Sequence, residues 1–159
     1  MGSGKSFMGR QLAKALDWKF MDLDDFLEEK AGTSISQIFE NQGQAFFREL
    51  ENQCLKATFQ YENCVIATGG GTPCFFDNIR LINQQGISIY LKTPTSILVK
   101  RLKNEMNHRP LIAGKSTEEL CLFIKNKLQE RNPYYLKSTV IFEYKTGSET
   151  AEDLIPLLK

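Results

Sequence analysis

The sequence predicts an α/β protein: a three-layer α/β/α sandwich with helices on both faces of a parallel sheet. Compact apolar runs of strand length alternate with stretches whose apolar residues recur at helical spacing, and such alternation implies parallel β-α-β units. A glycine loop at 2–6, an acidic cluster at 22–25 and a triple glycine at 69–71 all fall at strand-to-helix turns. In open parallel sheets ligands sit beyond the carboxyl ends of the strands, so these three segments are expected to share one edge. The 159 residues, 42% hydrophobic and 25% charged, suit one globular domain spanning 1–159 with a sizeable core.

Met8, Leu12, Ala15 and Leu16 predict a first helix over 6–16. The apolar run 18–23 reads as a strand entering the acidic cluster. Asp25 with Glu28 marks a helix start, and Gly32 its stop. Ser34 with Gln37 forms a second capping box, leading Ile35, Ile38 and Phe39 to a stop near Gln42 and Gly43. A longer helix over 44–58 then buries Phe47, Leu50, Cys54 and Ala57. Residues 64–68 form a buried strand ended by Gly69, Gly70 and Gly71. A further strand covers 87–91 and stops at Thr93 and Pro94, with the proline at the first position of a helix carrying Ile97, Leu98 and Leu102. Residues 104–114 are polar and irregular. Ser116 with Glu119 caps a helix whose core face is Leu120, Phe123, Ile124 and Leu128. A last strand over 139–144 precedes a short helix at 151–158 that Pro156 kinks or cuts short.

The net charge of +1 gives no reason to expect nucleic acid or an anionic membrane as partner. No apolar run approaches the roughly 18–20 residues of a membrane span, and there is no signal-peptide pattern. Cys54, Cys64, Cys74 and Cys121 are widely spread with no C-x-x-C pair, so they read as reduced thiols in a cytoplasmic protein.

Gly4-Lys5-Ser6 are the last three positions of the Walker A pattern, and Gly2 and Ser3 lead into them. Glycine lets backbone N–H groups close around a polyphosphate, lysine adds a point charge, and the serine hydroxyl ligates Mg²⁺. The pattern's first glycine would stand before Met1. Asp22 and Asp24 share strand parity, so both are expected on one side of the strand end, one serving Mg²⁺ and the other an acceptor hydroxyl. Asp25 fits a plain helix cap. Arg48 lies among large apolar residues and is read either as a helix-face arginine paired with Glu49 or Glu51, or as a carboxylate-gripping guanidinium. Arg109, before Pro110 in an irregular segment, suits a loop that closes over phosphates. Arg131 sits at a helix end, where a dipole interaction is the simpler role, and His108 reads as a polar loop residue.

The ordered set G-S-G-K-S, D-L-D, F-R-E-L-E, G-G-G, R-P-L and E-R-N-P-Y-Y resembles the shikimate kinase family from end to end. The resemblance implies a P-loop kinase fold with a five-stranded parallel sheet, a substrate-binding segment near 24–60 and a lid near 104–115. It leaves the family's first, central strand without a counterpart, and the natural chain is expected to begin roughly ten residues earlier. It implies ATP-dependent phosphorylation of the shikimate 3-hydroxyl, on the route to chorismate and aromatic amino acids, by a monomer. By position, Lys5 would contact the β- and γ-phosphates, while Ser6 and Asp22 would hold Mg²⁺. Asp24 would hold shikimate's hydroxyls and accept a proton. Arg48 and Arg131 would grip its carboxylate. Gly69, Gly70 and Gly71 would let the backbone approach it, one N–H donating. Arg109 would be the lid arginine, and Arg101 would stack on adenine. A gluconate-kinase-like enzyme and a non-catalytic nucleotide-binding regulatory domain are the alternatives.

Overall fold

The computed structural model describes residues 2–104, 112–145 and 149–158. The elements in chain order are α1 (Lys5–Leu16), β1 (Lys19–Asp22), α2 (Leu23–Ala31), α3 (Ile35–Thr58), β2 (Cys64–Ala67), α4 (Asn78–Gln85), β3 (Ile89–Lys92), α5 (Thr95–Lys103), α6 (Thr117–Tyr135) and β4 (Val140–Glu143). A short 3₁₀ turn, Thr72–Cys74, follows β2, and two more, Ala151–Asp153 and Ile155–Leu158, replace the helix expected at 151–158.

Every strand pairing among the described residues is parallel. β1 pairs with β2 in the register Lys19 to Cys64 through Asp22 to Ala67, and β3 pairs with β4 from Ile89 to Val140 through Lys92 to Glu143. Among the described residues these are two separate two-stranded sheets, with no strand bridging them.

Side-chain alternation along the strands defines the layers. Val65 of β2, Ile89 and Leu91 of β3 and Phe142 of β4 join Met8 and Leu12 of α1 and Ala151 and Leu154 of the C-terminal turns in one cluster. The neighbouring Ile66 packs the opposite way, against Leu23 and Leu27 of α2 and Phe47, Cys54 and Leu55 of α3. On that same opposite side Tyr90 of β3 meets Tyr135 of α6, their ring centroids 4.9 Å apart. Helix α1 therefore lies across both strand pairs on one face, and α2, α3 and α6 cover the other. A third cluster, Leu98, Leu102, Ile112, Leu120 and Ile124, joins α5 to α6.

Both serine capping boxes form, Ser34 accepting from the Gln37 N–H and Ser116 from the Glu119 N–H. The stop expected near Gly43 is a kink within α3, where Gly43 takes φ 78°, ψ 178°. Two starts differ from the sequence reading. β1 ends at Asp22, and Leu23 already opens α2, because the Asp22 carboxylate caps the helix by accepting from the Asp24 N–H at 3.2 Å. Asp24 is thus in the first turn of a helix, and strand parity does not relate it to Asp22. Glu28, expected to complete a box with Asp25, instead accepts the Ile35 N–H at 2.8 Å and so caps the start of α3. Pro94 is the residue before α5 and not its first. Helix α4 has no counterpart in the sequence reading. The four cysteines are free thiols, and no described helix is long and apolar enough to cross a membrane.

Candidate active site

The loop at 2–6 is shaped by two glycines in left-handed backbone, Gly2 at φ 70° and Gly4 at φ 83°. Lys5 and Ser6 follow as the first residues of α1, so the loop's N–H groups sit at the positive end of a 12-residue helix. Ser3 and Lys5 line a cleft of about 110 Å³ together with Gly69, Gly70, Arg131 and Tyr135. The glycine loop, the triple glycine and α6 thus meet in one cavity, on the edge expected from the sequence.

The Ser6 hydroxyl donates to Asp22 Oδ2 at 2.6 Å, which brings two hard oxygen donors together at the end of β1. That donor set fits Mg²⁺, which keeps several waters and takes few protein oxygens alongside substrate phosphates. No cluster of three or more acidic, histidine or cysteine side chains suited to a metal occurs among the described residues, so a cage built from the protein alone is not what these residues offer.

Asp24 lies next to this pair. Burial pushes its carboxyl up to about 6, the nearby Asp22 and Glu51 carboxylates push the same way, and Lys5 opposes them. Its Oδ1 would come within 3.2 Å of a Cβ placed on Gly69, so the first glycine of the triplet lies directly against it.

On α3, Arg48 Nη1 donates to Glu51 Oε2 at 2.6 Å, and Glu51 is 1% exposed. The other Glu51 oxygen accepts the Thr72 hydroxyl at 2.6 Å, tying α3 to the turn after the glycines. Asn78 continues the network: its amide donates to the Thr72 carbonyl at 2.8 Å and accepts from Asn52 at 2.6 Å. The guanidinium also stacks over Phe47 and Phe75, at 4.9 and 4.4 Å from the ring centroids. A Cβ on Gly71 would lie 2.6 Å from Arg48 Nη2, so only glycine allows this approach. Arg48 Nε is buried with no hydrogen-bond partner among the described residues. Arg48 and Arg131 both act electrostatically on the Cys74 thiol, which places both cations around the 72–74 turn.

Arg101 lies on the far side of the glycine loop. Its Nη1 donates to the Ser3 and Gly2 carbonyls at 3.3 and 3.4 Å, and its guanidinium sits 5.4 Å from the Tyr144 ring centroid. Arg109 and His108 lie outside the described residues, as does most of the lid near 104–115. Glu51, Thr72, Asn78 and Tyr135 are parts of the site that sequence reasoning did not single out. Glu51 left a signal there as a possible i,i+3 partner of Arg48, and Tyr135 as the last residue of the E-R-N-P-Y-Y motif.

Comparison with known proteins agrees with this geometry. A family model described as shikimate kinase matches residues 1–159. The shikimate kinase of Parabacteroides distasonis is 42% identical over 143 residues, which span 90% of this chain and 83% of that protein. That of Azobacteroides pseudotrichonymphae is 40% identical over 159 residues, covering 98% and 94%. A crystal structure of shikimate kinase from Bacteroides thetaiotaomicron superposes with TM-score 0.92 at 35% identity, covering 99% of this chain and 93% of the other. Shikimate kinase from Acinetobacter baumannii in complex with shikimate gives 0.82 at 33% identity, over 97% and 83%. With a family model matching along its whole length and relatives near 40% identity, this chain belongs to the shikimate kinase family.

Proposed function

We propose that this protein transfers the γ-phosphoryl group of ATP to the 3-hydroxyl of shikimate, giving shikimate 3-phosphate and ADP. The observation that carries the reading is the buried Nε of Arg48, which has no hydrogen-bond partner among the described residues and belongs to a guanidinium held against Gly71 and, with Arg131, around the 72–74 turn. A buried charged donor without an acceptor is costly, and a substrate carboxylate would satisfy it. Residues 24–60 then form the substrate-binding segment and 104–115 the lid, within one domain.

In this mechanism Arg48 and Arg131 grip the substrate carboxylate, and the glycine turn lets the backbone come close to it. Asp24 accepts the proton of the attacking hydroxyl as its oxygen forms the new bond to phosphorus. The bond from phosphorus to the β,γ-bridging oxygen breaks, and that oxygen leaves on ADP. Gly2 to Lys5 hold the phosphates with backbone N–H groups and one ammonium. Ser6 and Asp22 would hold Mg²⁺, which supplies charge neutralisation at the β- and γ-oxygens. Arg109 would come from the lid to the transferring phosphate, and Arg101 bounds the nucleotide side of the loop. Shikimate kinases use ATP with Mg²⁺, and we place this one in the cytosol as a monomer, a setting that suits four unpaired thiols.

A coupled assay of ADP release tests the reading. Shikimate should stimulate turnover and gluconate should not, with stimulation lost in Asp24→Asn and Arg131→Ala. Stimulation by gluconate in place of shikimate would make the acceptor assignment wrong.

A further inference from the structure

Tyr135 is the last residue of α6, next to the glycine turn, and the mechanism above gives it no task. Its phenol donates to the Gly70 carbonyl across 65 residues of sequence. It is largely buried, its ring packs on Tyr90, and the Arg131 guanidinium interacts with its oxygen. Tyr90 in turn donates to Asn132 Oδ1 at 3.0 Å, which holds the stacked pair against the same helix that carries Arg131.

The consequence follows from the peptide plane. No peptide bond in the described chain is cis, so the Gly70 C=O and the Gly71 N–H point in opposite directions. Fixing the carbonyl toward α6 fixes the N–H on the other side. Gly71 itself lies against Arg48, as its close approach to Nη2 shows. Its N–H has no acceptor among the described residues, whereas the next two N–H groups in the 72–74 turn region close on Gly69 and Gly71 carbonyls, at Thr72 and Cys74.

We propose that Tyr135 is a positioning residue for the acceptor: its hydroxyl sets the plane of the 70–71 peptide and couples it to Arg131. The Gly71 N–H is thereby turned away from α6, to the side on which Gly71 lies against Arg48, and is presented there to an anionic carboxylate. The phenol touches neither the phosphates nor the reacting hydroxyl. This inference rests on the reading of the site as a shikimate kinase, because it names what the turn presents itself to.

The test is Tyr135→Phe, which keeps the ring and its stacking and removes only the donor. In the unmodified protein, shikimate-stimulated turnover is measured first; its absence would overturn the acceptor assignment and not the role of the tyrosine. In the variant, KM for shikimate should rise about tenfold, the equivalent of one hydrogen bond to a buried group. The kcat and the KM for ATP should stay within about twofold, on the scale of context effects. Preference for shikimate over its methyl ester, which lacks the anion, should fall by a similar factor. Tyr90→Phe, which removes the neighbouring phenol but leaves the Gly70 contact, should leave that preference unchanged. An unaltered preference in Tyr135→Phe, or equal losses for both substrates, would overturn the proposal. Should Tyr135→Phe fail to fold, 3-fluorotyrosine at position 135 provides the reading instead. Its ¹⁹F resonance should shift on adding shikimate and not on adding its methyl ester, and an identical response to both would overturn the proposal.

Discussion

Asp24 joins two opposed properties in one carboxyl group. Burial and the Asp22 and Glu51 charges raise its folded-state value to about 6, from 3.8. Between those two values the folded protein holds a proton that the unfolded chain has released. Stability therefore falls as pH rises through that window, and the full cost of ionising Asp24 is present above about pH 6. Under the proposed mechanism turnover has the opposite demand, since Asp24 as proton acceptor must be ionised. Activity should climb along a limb with an apparent value near 6 and level off above it. Asp24→Asn should lose turnover yet gain about 2 kcal/mol of stability at pH 7.5, allowing for solvent that still reaches the group, with little gain at pH 4. Thermal melts at the two pH values check this, and a variant less stable at pH 7.5 would contradict it. Arg48 teaches a related lesson. Its sequence neighbourhood offered either a helix-face ion pair or a carboxylate grip. The structure shows the pair with Glu51, and the same pair holds the guanidinium against Gly71 with Nε left over.

At the level of single elements, local chemistry was readable wherever the cap belonged to its own helix. Ser34 and Ser116 begin α3 and α6 as their three-residue spacing to Gln37 and Glu119 indicates. Asp25 and Glu28 have the same spacing, but Asp22 captured the helix start and Glu28 turned to the neighbouring helix. Spacing alone does not distinguish competing acceptors. Helix α4 escaped notice because Asp77, at φ 57°, precedes it without a side-chain cap bond; Asn78 and Ile79, buried against their surroundings, hold it in place. The kink in α3 depends on Gly43, whose φ of 78° and ψ of 178° belong to a region nearly exclusive to glycine. Nothing lies within 4 Å of a Cβ placed there, so the penalty for Gly43→Ala is in the backbone alone. It should amount to about 1–3 kcal/mol, read as a lower melting temperature. An unchanged melt would show that this bend does not need the dihedral.

Across the whole molecule, α1 is the element that joins the two strand pairs. Met8 and Leu12, 2% and 3% exposed, belong to one apolar cluster with Val65 on one pair and Leu91 and Phe142 on the other. Leu12→Ala should cost about 3 kcal/mol by opening a cavity in this shared cluster. Urea unfolding of the variant should remain a single transition at lower midpoint, because one cluster serves both pairs. Two separated transitions would mean that the pairs are stabilised independently. The amino-acid sequence by itself determined the alternation of strands and helices, the phosphate loop, and the residue types at the site. Those follow from periodicity and from the few residues able to adopt a given turn or carry a given charge. Only the tertiary structure decided which carboxylate caps which helix, that Arg48 and Glu51 are buried together, that the strands form two pairs spanned by α1, and that Tyr135 reaches Gly70. Each of these depends on competition among partners distant in sequence, and that competition is settled by burial and hydrogen-bond geometry once the chain has packed.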